Sequence, residues 1–209
     1  MLPFNVIAHT IGISHGSFSF ISVPDAINVT VGDFSLQSRG NLEKKQVDLN
    51  LSTGSASINL PQARTTIHRL NLSAAFLQDA LTDINFQLDT DAGKLTLAGT
   101  AHNLFSNPET DIQLNLDGDI ARTLKSMENP SDISGNIAAR ARVKGPVNNP
   151  EVTIFLDYPG GTVLGHKINQ AHIDITMADK ICRVGQLFLD HDSGKIKATG
   201  KLDLSRAFP

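Results

Sequence analysis

The residues with the most obvious chemistry are seven histidines, one cysteine and a glycine-rich run late in the chain. Gly160 to Gly165 has the G-x4-G spacing of a phosphate loop. His166, however, stands where such a loop needs its Lys, and Lys167-Ile168 replaces Lys-Ser/Thr, so a glycine-rich β turn is expected instead. His191 between Asp190 and Asp192 suggests a metal site, but the adjoining Ser193-Gly194 marks a solvated hairpin tip. Ser14-His15-Gly16 lacks the strand-to-helix context of a nucleophile elbow. The histidines form no HxH or HExxH pair, and Cys182 is alone, so no internal disulfide is possible. These residues predict no enzyme, no cofactor and no metal centre.

Composition points to a β protein. Asp outnumbers Glu by about four to one, and Asp favours turns and strand ends where Glu favours helices. Aromatic residues are 5% with no Trp, so the apolar content is mostly Leu, Ile, Val and Ala. A net charge of −3 without a Lys/Arg stripe gives no case for nucleic acid. Arg140, Arg142 and Lys144 alternate with apolar residues, as on the wet face of one strand. Met1 to Ile13 lacks the basic start and cleavage site of a signal peptide, and no stretch reaches the 18 or more apolar residues of a membrane-spanning helix.

Period-2 alternation recurs along the chain. It sets Ile27, Val29 and Val31 on one face, then Phe34 and Leu36 after Gly32-Asp33, then Val47, Leu49 and Leu51, then Leu70 and Leu72. Further on come Ile84, Phe86 and Leu88; Leu95 and Leu97; Ile112, Leu114 and Leu116; and Val152, Ile154 and Leu156. The last are Ile173, Ile175 and Met177; Leu187 and Leu189; Ile196 and Ala198; and Leu202 and Leu204. Ser52 to Ser57 reads as a turn. Two stretches have helical spacing: Ser73 to Leu81, with Ser73 as N-cap, and Asp119 to Met127, with Asp119 as N-cap and Pro130 as terminator. Both are short enough to be caps lying on a sheet.

The pattern also repeats. Shifted by 42 residues, Gly93 falls on Gly135, Leu95 on Ile137, Asn107-Pro108-Glu109 on Asn149-Pro150-Glu151, and Ile112 and Leu114 on Ile154 and Leu156. A third copy begins at Gly194, and Pro209 matches Pro108, so the chain is read as a piece of a longer protein. Repeats of this size suit stacked, quasi-one-dimensional architectures. About a dozen strands at ~4.8 Å each would build a sheet ~55–60 Å long. The expectation is an all-β, mainly antiparallel, elongated and curled repeat sheet with an apolar concave face and one or two short capping helices. A β sandwich closed on itself is the alternative that the same alternation allows.

The order from Asp119 through the short helix, Ser134-Gly135, Lys144-Gly145 and Asn149-Pro150-Glu151 resembles the repeat of TamB/AsmA-like proteins. So does its sequel, Gly161-Thr162-Val163, Ile173-Asp174-Ile175, Val184-Gly185-Gln186-Leu187, Gly194-Lys195-Ile196 and Leu202-Asp203-Leu204. On this resemblance residues 69–209 are TamB/AsmA-like β repeats, cut off mid-repeat, and residues 1–68 are a weakly matched N-terminal β segment. The resemblance implies a periplasmic segment of a protein anchored in the inner membrane. Its hydrophobic groove would take phospholipid acyl chains toward the outer membrane, and an outer-membrane barrel protein would be a partner through other parts of the parent. The groove candidates are Ile84, Phe86, Leu88, Leu95, Leu97, Ile112, Leu114, Leu116, Val152, Ile154, Leu156, Ile173, Ile175, Met177, Leu187 and Leu189.

Overall fold

The structure, a computed structural model, describes residues 10–41, 44–61, 63–127 and 132–205. In chain order these form β1 (Thr10–Ser22), β2 (Ile27–Asn41), β3 (Gln46–Leu60), β4 (Ala63–Leu77), β5 (Ala80–Thr90), β6 (Gly93–His102) and β7 (Glu109–Asp119). The helix α1 (Ile120–Ser126) follows, then β8 (Ile133–Pro146), β9 (Glu151–Tyr158), β10 (Gly161–Val163), β11 (His166–Ala178), β12 (Ile181–His191) and β13 (Gly194–Asp203). Among the described residues this is an all-β fold with one short helix. Pro130, Pro209 and Met1 to His9, which the sequence reading uses, lie outside them.

All thirteen strands belong to one antiparallel sheet, in sequence order from β1 to β12 and β13. Short β10 and longer β9 together fill one place in it. β8 pairs with β10 through Ile133 to Gly135 and with β9 through Ala138 to Lys144. β11 does the same on the other side. Among the described residues the outermost strands, β1 and β13, do not pair with each other, and there is no second sheet. The sandwich alternative is therefore not what forms. No large side chain is fully buried among the described residues, as expected of a single layer. Residue 68 lies inside β4, at the bulge between Ile67 and Arg69, and β4 pairs with β3 and β5 on both sides of that point.

Tight hairpins set this order. Asp179-Lys180 joins β11 to β12 with both residues at positive φ (50° and 60°), the signature of a two-residue type I′ turn. Leu164-Gly165 does the same between β10 and β11, so the Gly160–Gly165 run is a strand and its turn. The 42-residue repeat is likewise a pair of hairpins, β6–β7 and β8–β9, each turning at its Asn-Pro.

Two local expectations are overturned. Ser73 to Leu81 is the end of β4, a two-residue turn at Gln78-Asp79 and the start of β5, not a helix. Its apparent helical spacing arises because Phe76 pairs with Leu81 and Leu77 with Ala80 across the hairpin. β3 pairs with the same residues on the other side, Leu77 opposite Gln46, so the backbone is already committed to a ladder. Ser52 to Ser57 is strand interior, because its small residues sit where β2, β3 and β4 each carry one extra residue side by side. The expected helix at Asp119 does form. The Asp119 carboxylate accepts from the Arg122 N–H at 3.0 Å, satisfying one orphan donor of the first turn.

At the β9–β10 break, Tyr158 is 6% exposed and lies across the repeat glycine Gly135 and Gly161. Its hydroxyl donates to the Ser134 carbonyl, and burial pushes its pKa up. A Cβ at Gly161 would collide with both the Ser134 carbonyl oxygen and the Tyr158 hydroxyl. Gly161→Ala is expected to cost about 1–3 kcal/mol by overpacking. Gly200→Ala, with nothing within 4 Å of the new methyl, should cost far less. Urea denaturation of both variants checks this, and equal midpoints would contradict it.

Candidate apolar groove

Residues directly opposite one another on neighbouring strands share a face, as do residues two apart on one strand. The register therefore fixes which side chains form a common surface. One row runs Ile13, Leu36, Leu51, Leu72, Phe86, Leu97, Leu114, Ala141, Ile154, Ile175 and Val184, from β1 to β12. Every member is apolar. Beside it run Ile84, Gly99, Ile112, Val143, Val152, Met177, Cys182 and Leu202. On the other flank run Phe34, Thr53, Leu70, Leu88, Leu95, Leu116, Ala139, Leu156, Ile173, Leu187 and Ala198. Leu189, opposite Ala171 and Ile196, stands in a fourth row.

All the residues expected to line a groove thus lie on one face. The set expected from alternation begins at Ile84, whereas the structure carries it back through Leu72, Leu70, Leu51, Leu36 and Ile13. A shift in alternation hides this earlier part. In β2 the inward positions change from Val29 and Val31 to Phe34 and Leu36, with Asp33 at φ 51° between them. A strict period-2 count treats these as opposite faces, although they share one. The surface is open: Ile154 and Leu116 are each 38% exposed, and Ile13 is 49% exposed. Thr53, the one hydroxyl in the third row, is buried with no hydrogen-bond partner for its Oγ1.

α1 lies against β7 and β8 and also reaches β4, and residues of β5 and β6 line the space between it and the sheet. The space under the helix measures about 480 Å³, walled by Leu88, Leu95, Leu116 and Ile137 from four successive strands, by Leu124 of α1 and by its C-cap Met127.

The opposite face is polar. Across β2 to β5, Gln37, Asn50, Ser73 and Asn85 form one ladder. Ser35, Ser52, Asn71, Gln87, Thr96, Asn115 and Arg140 form the next, as far as β8. A furrow of about 660 Å³ runs between these ladders over β1 to β6. Arg140, Arg142 and Lys144 are all exposed on this face, as their alternation predicts. Arg142 grips Asp111 in a two-pronged pair, Nε to Oδ1 at 2.8 Å and Nη2 to Oδ2 at 2.7 Å. That hydrogen bonding, with the guanidinium charge behind it, holds the Asp111 carboxyl below its ordinary pKa and raises that of Arg142.

The groups with catalytic potential stay apart. His15 pairs with Asp33, His68 with Asp91 and His172 with Asp157, at 2.6–2.8 Å, in three separate places. The His191 ring accepts from the Ser193 N–H at the β12–β13 turn, while Asp190 binds Lys195 and Asp192 binds Asn169. Among the described residues no three His, Cys, Asp or Glu side chains are grouped to hold a metal ion. No helix among them is long and apolar enough to cross a membrane. Comparison with known proteins finds no matching family model, no matching curated protein and no matching solved structure.

The Asp111–Arg142 pair makes stability depend on acid. A carboxylate whose pKa is lower in the folded state contributes above its unfolded pKa and loses that contribution as pH falls through the folded value. Asp111→Asn should therefore destabilise modestly at neutral pH, and its difference from the parent should shrink at acid pH as the folded-state carboxylate takes up its proton. Urea titrations at both pH values test it, and an undiminished difference in acid would refute the assignment.

Proposed function

We propose that the chain is a segment of a TamB/AsmA-like envelope protein whose apolar face carries phospholipid acyl chains toward the outer membrane. The observation that supports this most directly is the unbroken row from Ile13 to Val184 on an uncovered face. Full burial of one Leu or Ile is worth roughly 1.5–3 kcal/mol, so half-exposed rows on nearly every strand leave a large unrealised gain. A partner made of methylenes would realise it. The rows offer hardly any hydrogen-bonding group, which suits acyl chains and suits no polar substrate. The ladder face stays wet, so headgroups would travel in water at the groove's open side.

On this reading transport is passive: the face lowers the free energy of a lipid chain between two membranes, and no residue performs chemistry. The segment would work in the periplasm, held by an inner-membrane anchor elsewhere in the parent, and an outer-membrane barrel protein would engage parts beyond this chain. The order of motifs from Asp119 to Leu204 is what links the face to that family.

Because Leu114 and Ile154 stand on an uncovered face, Leu114→Asp and Ile154→Asp should leave the sheet folded by circular dichroism while removing lipid capture. A photo-crosslinking residue at either position, introduced into the parent protein in cells, should yield lipid adducts. Unfolding by the Asp variants would argue for a covered core instead, and a lack of adducts at both positions would end the transport reading.

A further inference from the structure

From the space beneath α1 we infer a discrete holding site for a single lipid alkyl chain, distinct from the open groove on either side of it. This rests on the transport reading and adds to it a place where a chain pauses. Elsewhere the four rows bind a chain from one side only. Beneath α1 one of these rows supplies the floor, through Leu88, Leu95 and Leu116, and the helix with its C-cap supplies a roof, through Leu124 and Met127. A chain there loses water on both sides, and apolar stabilisation scales with the area removed from water.

The cavity fits this occupant in size and chemistry. Its volume of about 480 Å³ falls in the range of about 300–1,000 Å³ typical of small-molecule sites. Its walls are mainly aliphatic, with hydroxyls contributed by Thr65, Thr90, Thr123 and Ser126. Lys94 also borders it, but by register this residue belongs to the polar face, opposite Asp89 and Asp117. The apolar face therefore brings no charge into the space to orient a charged ligand. The floor rows continue past the helix, Leu116 to Ala139 and Leu156 on one side and Leu88 to Leu70 on the other, so a chain can slide in along the face.

The roof is fixed by a few contacts of its own. Asp119 caps the helix, and its N–H bonds the Ala92 carbonyl at 2.8 Å across the end of the β5–β6 hairpin. The Arg122 guanidinium reaches the Asp91 carbonyl at 3.4 Å. α1 thus holds its place from the hairpin below it, with the cavity left between helix and sheet. Side chains on the helix can change without touching a strand's ladder.

The test uses the whole chain and two photoactivatable probes, a diazirine-bearing fatty acid and vesicles of phosphatidylglycerol with a diazirine on one acyl chain. Adduct sites are mapped by mass spectrometry over a range of probe concentrations. Labelling at Leu95, Leu116 and Met127 should saturate at about tenfold lower probe than labelling at Leu51 and Ile175, two positions on the open face. Leu124→Trp, which fills the cavity, should abolish the saturable labelling and spare Leu51 and Ile175. Leu124→Ala, which leaves the space open, should retain it. Labelling by both probes identifies the alkyl chain as the feature recognised, and labelling by the fatty acid alone restricts the site to free acids. Equal, unsaturable labelling along the whole face would overturn the holding site and leave the groove standing. Labelling at none of these positions would overturn both.

Discussion

Register carries this structure. Along the row from β1 to β12 an apolar residue faces an apolar residue at every pairing, and the alignment is handed on without losing its face. A slip of one residue at any pair would turn every later side chain to the wrong side. In a closed core such an error is punished by burying polar groups. Here the layer is single, so the penalty comes from cross-strand pairs and from the tight turns that set each offset. The asymmetry between the faces, Leu and Ile on one and Asn, Ser, Thr and Arg on the other, is the means by which a one-layer sheet keeps its register.

Length strains that alignment, and bulges relieve it. β2, β3 and β4 each carry an extra residue at the same level, and β5 carries one at Asp83, at φ 54°. In β12 the chain passes from Val184 to Leu187 while its partner moves only from Ile175 to Ile173. Gly185 sits in that step, where an added Cβ would lie 3.1 Å from an Asp174 carboxylate oxygen. Each extra residue adds local twist and bend without sending the aliphatic side chains to the wet face.

Much of this was legible in the sequence, because a half-buried strand writes its faces as alternation. The all-β class, the helix at Asp119, the Asn-Pro turns and the shared face of Ile84 to Leu189 all follow from period and punctuation. What was not legible were features made by neighbours rather than by the strand itself. Ser73 to Leu81 has helical spacing on its own, and only pairing with β3 and β5 makes it a hairpin. The face of Phe34 relative to Val31 depends on a bulge that three strands share, which no count along one strand can show. The same bulge makes the first sixty residues differ in pattern from the rest while carrying the same rows.

An open apolar face with β1 and β13 outermost among the described strands would ordinarily invite association. The two edges differ. β13 presents Lys195, Lys197 and Lys201, charges that guard an edge against pairing, whereas β1 has no Asp, Glu, Lys or Arg and exposes Ile11, Phe18 and Phe20. The rows reach β1 through Ile13 and β13 through Ala198 and Leu202, so among the described residues they extend to the outermost strands. A surface built for one compact ligand would be bounded by polar residues within the sheet. Rows that run on from strand to strand instead define a direction across the sheet, perpendicular to the strands.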